Sequence, residues 1–208
     1  MSTNWDTRDV ILERTIELAS RVGLTGLSIG SLALHLDRSK STVFNHFGSK
    51  ESLQLAVLRH AAQELIREVI RPAWSEPDGL TRLERLFDRW LVWDARGAYP
   101  GGCIFVATAT EFDDQPGPVR QRLVRLCLGW RHLVYGRVEA AINAGTLRPD
   151  TDRDQFLHDL HGIMLGYHHA SRLYHDPLAQ QRAHEAFVRL LAWARPGGPT
   201  APGTMLSA

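Results

Sequence analysis

Apolar residues recur every three to four positions along almost all of this 208-residue chain, and a sustained two-residue alternation occurs nowhere. That restricts the fold to packed helices, because an amphipathic helix buries one stripe of side chains and a half-buried strand buries alternate ones. The spacing predicts a first helix from Thr7 to Val22, with Leu12, Ile16 and Ala19 on one face and Gly23 as its stop. Ser28 then caps a short helix carrying Ile29, Leu32, Ala33 and Leu36, which ends near Asp37. Ser39 caps a second short helix over 40–46, and Gly48 breaks it. Ser49 opens a long helix through Leu53, Ala56, Val57, Ala61 and Leu65 to Ile70, closed by Pro72. Further helical blocks run from Leu80 to Ala95, Cys103 to Phe112, Val119 to Ala144, Asp152 to Tyr174 and Leu178 to Ala194. Residues 196–208, PGGPTAPGTMLSA, have the composition of a disordered tail. The fold class is therefore all-α: a small three-helix head followed by a larger helical body.

Composition narrows the function classes. Hydrophobic residues make up 44% and charged residues 23%, the balance of an ordinary globular protein. No apolar leader opens the sequence, and no uncharged apolar run approaches the roughly 20 residues that span a bilayer. Two cysteines, Cys103 and Cys127, are too few for a disulfide scaffold, so a reducing cytoplasm is the expected location and no membrane partner is expected. The net charge of +1 argues against a strongly basic coat for nucleic acid, but leaves room for a local basic surface. Residues 26–30, GLSIG, match a nucleophile elbow, yet that motif needs a strand entering the turn and here a helix precedes it. Ser28 is better explained as a cap. His158, His161, His168, His169 and His175 gather late, but no carboxylate or thiol stands at helical spacing to complete a ligand set. No catalytic constellation, metal or cofactor is expected.

One short stretch is chemically distinct. Residues 37–50 read DRSKSTVFNHFGSK and contain both lysines of the chain, Lys40 and Lys50; the other 22 of its 24 basic side chains are arginine. Two short helices joined by a tight turn make a helix-turn-helix, whose second helix enters the DNA major groove. The second helix here carries Ser39, Ser41, Thr42, Asn45 and His46, with Val43 and Phe47 available for packing. Spacing alone leaves a second reading open, a polar loop or connecting helix.

The run SIGSLALHLDRSKSTVFNHFGSKESLQLAVL resembles the DNA-binding head of the tetracycline-repressor-like (TetR) family of bacterial transcriptional regulators. The matching features are the Ser28-led helix, Ser39-Lys40, Thr42, Phe44, His46-Phe47 and Ser49-Lys50-Glu51. The segment GGCIFVATATEFDDQPGPVR is similar to one C-terminal subgroup of that family. The resemblance implies that Ser28, Thr42, His46 and Lys50 hold phosphates, that Lys40, Ser41 and Asn45 face bases, and that Phe44 packs on sugar or a thymine methyl. Ser39 belongs to the same surface. Three residues depart from the family pattern. Asp37 stands where the turn usually has glycine, Arg38 stands where an apolar residue is common and is a further phosphate candidate, and Phe44 replaces a tyrosine.

The resemblance further implies a homodimeric one-component regulator, expected to be a repressor, that binds palindromic operator DNA and is released by a small-molecule effector. Residues 1–50 would bind DNA, 51–195 would bind effector and dimerise, and 196–208 would be the tail. The last two helices would form a four-helix seam with their mates, through Leu160, Met164, Tyr167, Val188, Leu191 and Trp193. Aromatics at helical spacing are ordinarily core. Those that line an effector pocket instead would come from Trp90, Trp93, Phe105, Trp130 and Tyr135, with Cys103, His161 and His168 beside them. The rival is a helical small-molecule-binding protein or enzyme whose head is only structural.

Overall fold

The computed structural model describes residues 8–77, 79–95 and 99–199, and among them every regular element is helical. Among the described residues ten α-helices follow one another: α1 Arg8–Gly26, α2 Ile29–Leu36, α3 Lys40–Phe47, α4 Lys50–Leu65, α5 Arg71–Ala73, α6 Leu80–Ala95, α7 Ile104–Phe112, α8 Pro118–Asn143, α9 Arg153–Arg172 and α10 Ala179–Ala194. None among the described residues is long and apolar enough to cross a membrane.

The short helices of the head start and stop for local reasons. Ser28, Ser39 and Ser49 are extended N-caps whose hydroxyls accept from Ser31 N, Thr42 N and Ser52 N, pairing amides that a first helical turn leaves orphaned. Asp37 ends α2 in the left-handed region at φ 52°, and its N–H reaches back to Ala33 and Leu34 carbonyls. The expected stop at Gly23 is a break rather than an end. Gly23 takes φ 75°, and a further helical turn carries α1 to Gly26. Pro72 does not end the long helix either. Ile66–Ile70 widen into a π-turn, and Pro72 falls in the first turn of α5, where its missing amide costs no hydrogen bond.

The chain divides into two compact units. One holds the residues up to Ser75 with Leu86–Trp130, and the other holds Glu76–Arg85 with the residues from Arg131 onward, so the division falls within α6 and α8. In the first unit Ile16, Leu24, Leu27, Leu32, Val43, Leu53, Val57 and Leu58 are buried together. The head thus shares its core with α4.

In the second unit α9 and α10 pack on each other along Phe156, Leu160, Met164, Phe187 and Leu191. The residues that the resemblance implied for the seam differ in exposure. Leu160, Met164, Tyr167 and Leu191 are buried within the chain itself, and Trp193 lies half-buried with the Arg148 guanidinium 5.1 Å above its ring. Val188 stays exposed, at 48%, as does Leu165 at 42%. Helical periodicity locates a buried stripe but does not say which partner covers it. The start of the expected disordered tail is tied down: Arg148 Nη1 donates to the Pro199 carbonyl at 3.2 Å. Residues 200–208 of that tail lie outside the described residues.

Candidate nucleic-acid interface

α3 presents two faces of opposite chemistry. Val43 and Phe47 are buried, whereas Ser39, Lys40, Ser41, Phe44 and Asn45 are exposed and Thr42 and His46 are half-buried. Phe44 is 54% exposed, an uncommon state for a ring that nothing forces outward. The hydroxyls of Ser39, Ser41 and Thr42 form one cluster, Ser39 Oγ lying 2.8 Å from both Ser41 Oγ and Thr42 Oγ1. They crown the N-terminus of α3, the end of a helix that attracts anions. The Lys40 stem lies beside α2, 3.4 Å from where a Cβ on Gly30 would stand. Arg38 is exposed in the turn.

Two residues expected to hold phosphates are already engaged within the chain. Ser28 Oγ accepts from Ser31 N at 2.9 Å and donates to Ser31 Oγ at 3.0 Å. Lys50 Nζ donates to the Thr25 carbonyl at 2.5 Å. An ammonium has three donors, so this bond orients Lys50 without exhausting it.

Three further residues hold this surface in place and went unnoticed in the sequence. Arg8 Nη1 donates to the His46 carbonyl at 2.6 Å, and its guanidinium lies 4.9 Å over the Phe47 ring, so it closes the C-terminal end of α3. Gln54, buried on α4, donates to the Leu24 carbonyl at 2.7 Å. Glu111, on α7, accepts from the amides of Leu24 and Thr25. Gln54 left a readable signal, a polar residue beside Leu53 on a buried stripe. Glu111 left a weaker one, a charge near the end of the apolar run IFVATATEF. Arg8 left none.

The expected effector residues divide between the two units. Trp90, Trp93, Cys103, Phe105 and Trp130 belong to the first, and Tyr135, His161 and His168 to the second. Within the first unit Trp93 stacks on Phe105 at 6.4 Å and meets Tyr99 edge-on at 5.3 Å. Trp90 and Trp93 are buried, and the Trp93 indole N–H has no hydrogen-bond partner among the described residues. Burial, aided by the Asp94 carboxylate, pushes the Cys103 thiol up to about 12. Within the second unit Arg153 Nε donates to the Tyr135 hydroxyl at 2.9 Å. Burial, with His158 and Arg131 nearby, lowers the pKa of His161. Among the described residues no group of three or more His, Cys, Asp or Glu could hold a metal ion.

Two family models cover most of the chain. One, for bacterial regulatory proteins of the tetR family, matches residues 11–57; the other, for the C-terminal domain of tetracyclin-repressor-like proteins, matches residues 79–187. This chain belongs to the TetR family. It is a DNA-binding transcriptional regulator with a ligand-binding C-terminal domain, and TetR regulators are generally non-enzymatic.

Solved structures of regulators share the fold. A TetR regulator from Chloroflexus aurantiacus J-10-FL superposes with a TM-score of 0.78 at 24% identity, covering 93% of this chain and 96% of that one. AibR, solved with isovaleryl coenzyme A and operator DNA, gives 0.69 at 18% identity over 86% of this chain and 94% of its own. A regulator from Saccharomonospora viridis, solved with choline, gives 0.72 at 20% identity, covering 84% and 90%. No curated protein gave a significant match.

Proposed function

We propose that this TetR regulator is a cytoplasmic one-component repressor that binds a palindromic operator as a homodimer and releases it when a small molecule occupies the body. The observation that carries the DNA half is α3: its apolar residues Val43 and Phe47 face inward while Ser41, Phe44 and Asn45 face solvent. A merely structural head has no use for an exposed aromatic flanked by hydroxyls and an amide. Residues 1–50 form the DNA-binding part and 51–195 the effector and dimer part. Lys40, Ser41 and Asn45 read base edges; Ser28, Arg38, Ser39, Thr42, His46 and Lys50 set register on the backbone; Phe44 packs on sugar or a thymine methyl. Asn45 suits bidentate pairing with adenine.

A geometric argument supports dimerisation. One helix of two turns reads few bases, and a two-fold pair sets two such helices about 34–36 Å apart, one turn of DNA. The exposed Leu165 and Val188 supply apolar area on α9 and α10 for that pairing.

The effector half rests on the aromatic group of Trp90, Trp93 and Phe105. The unpartnered Trp93 N–H favours an effector with a hydrogen-bond acceptor, since a buried donor left unpaired is costly. Such an effector shifts the DNA affinity only by the difference in its own affinity for the two states. That both AibR and the Saccharomonospora viridis regulator were solved with small molecules supports a ligand here too.

Binding to random duplex DNA as a function of salt tests the reading. A regulator loses affinity steeply as salt rises, through counterion release. Lys50→Ala should weaken all sequences alike, whereas Asn45→Ala should change which sequence is preferred. A chain that binds no duplex at low salt is the rival, a helical ligand-binding protein with a structural head.

A further inference from the structure

The last turn of α1, beyond the break at Gly23, is gripped from two sides. Its donors face α7: Glu111 accepts from Leu24 N at 3.2 Å, from Thr25 N at 2.8 Å and from the Thr25 hydroxyl at 2.8 Å. Its carbonyls face α4: Gln54 donates to Leu24 O at 2.7 Å and Lys50 to Thr25 O at 2.5 Å. Two consecutive residues therefore send their donors to one helix and their acceptors to another, all within one compact unit.

The approach of α7 is close. Gly23 holds φ +75°, where a side chain would be strained, and a Cβ there would displace the Glu111 carboxylate, whose Oε1 would lie 2.3 Å away. Nearer the start of the same contact, Gly101 N donates to Ser20 Oγ at 3.0 Å, and a Cβ on Gly101 would stand 1.5 Å from the Ser20 carbonyl oxygen. α7 is itself anchored to α6, because Cys103 N donates to Asp94 Oδ1 at 2.5 Å and Trp93 stacks on Phe105. Phe105 and Glu111 lie about 9 Å apart along one short helix, a span with no joint in it.

We propose that Glu111 is a positioning residue for DNA binding. Through its three hydrogen bonds α7 sets the last turn of α1, which leads into α2, and with it the placing of α2 and α3 on the duplex. The bonds go largely to backbone donors, so they fix the path of the chain rather than one side chain. This rests on the repressor reading above and adds to it the residue by which the body holds the head.

The test uses the full chain and three duplexes: one recovered by the wild type from a random pool, the same duplex with one base pair inserted between its half-sites, and a random duplex at low salt. Glu111→Ala should bind the random duplex like wild type, because phosphate contacts tolerate a displaced head. It should bind the recovered duplex roughly tenfold more weakly, the scale of one lost charged hydrogen bond, and lose most of the discrimination against the insertion. Glu111→Gln should fall between, since its one oxygen can serve Leu24 or Thr25 but not both. If Glu111→Ala does not fold, Glu111→Gln and Thr25→Val, which removes the hydroxyl donor and keeps the shape, carry the same comparison.

Variants that match wild type on the recovered and inserted duplexes overturn the proposal. So do variants that weaken all three duplexes equally, which marks a loosened head and not a misplaced one. A wild type that binds no duplex at any salt brings down the repressor reading and this proposal together, whereas a binding wild type with an indifferent Glu111→Ala brings down this proposal alone.

Discussion

Asp37 occupies a conformation that L side chains seldom adopt, φ 52° and ψ 49°, at the turn between α2 and α3. It is tolerated because aspartate is among the few non-glycine residues that visit this region. Glycine carries no such penalty, so Asp37→Gly should raise stability by about 1 kcal/mol and Asp37→Ala should lower it by a similar amount, read by thermal unfolding. Cys103 is the other residue whose surroundings decide its chemistry. Its raised pKa means the folded state favours the protonated thiol, so folded stability is unaffected below the ordinary thiol range near 8.5 and falls as pH rises from there toward about 12. At pH 8 the thiol should therefore resist iodoacetamide in the native chain and react in urea, as mass spectrometry would show. At this scale the caps were readable: Ser28, Ser39 and Ser49 act on amides three residues away, and such partners lie inside any local window. The unusual pKa of Cys103 was not, because it depends on what buries the thiol.

α4 is the helix on which the head's order depends. Its buried Gln54 donates at 2.7 Å to the Leu24 carbonyl, which also accepts a longer bond, 3.3 Å, from Leu27 N just past the break in α1. Gln54→Leu keeps the volume and removes the donor, so it should cost about 1–3 kcal/mol in urea unfolding, with the loss concentrated in the head. α3 shows what elements owe to sequence. Its length, its cap at Ser39 and its stop at Gly48 follow from nearby residues, and its outward face follows from where Val43 and Phe47 fall. Its C-terminal closure by Arg8 does not, since 38 positions separate donor and acceptor. The continuation of the α4 helix through Pro72 was equally hidden. A proline signals a helix end by rule, and only the π-turn at Ile66–Ile70 removes the conflict.

At the scale of the whole molecule the pairing surface depends on which apolar residues the chain leaves uncovered. Leu160, Met164 and Leu191 have the spacing of a seam, yet the packing of α9 on α10 already covers them. Leu165 and Val188 are exposed apolar residues on these two helices. Val188→Glu should therefore weaken self-association and operator binding together without lowering the unfolding midpoint; sedimentation velocity checks the first and a recovered duplex the second. A dimer that persists unchanged with Val188→Glu places the seam elsewhere. The functional boundary proposed at residue 50 is also distinct from how the chain compacts, since the head, α4 and α7 fall in one unit.

The order of the helices, their caps and the two faces of α3 were settled by the sequence alone, because each depends on residues within about one or two helical turns, where spacing and side-chain chemistry are enough. Which helix meets which was left to the tertiary structure. Glu111 and the Leu24–Thr25 peptide are 87 and 86 positions apart, and a hydrogen bond across that distance leaves no period in the sequence to find.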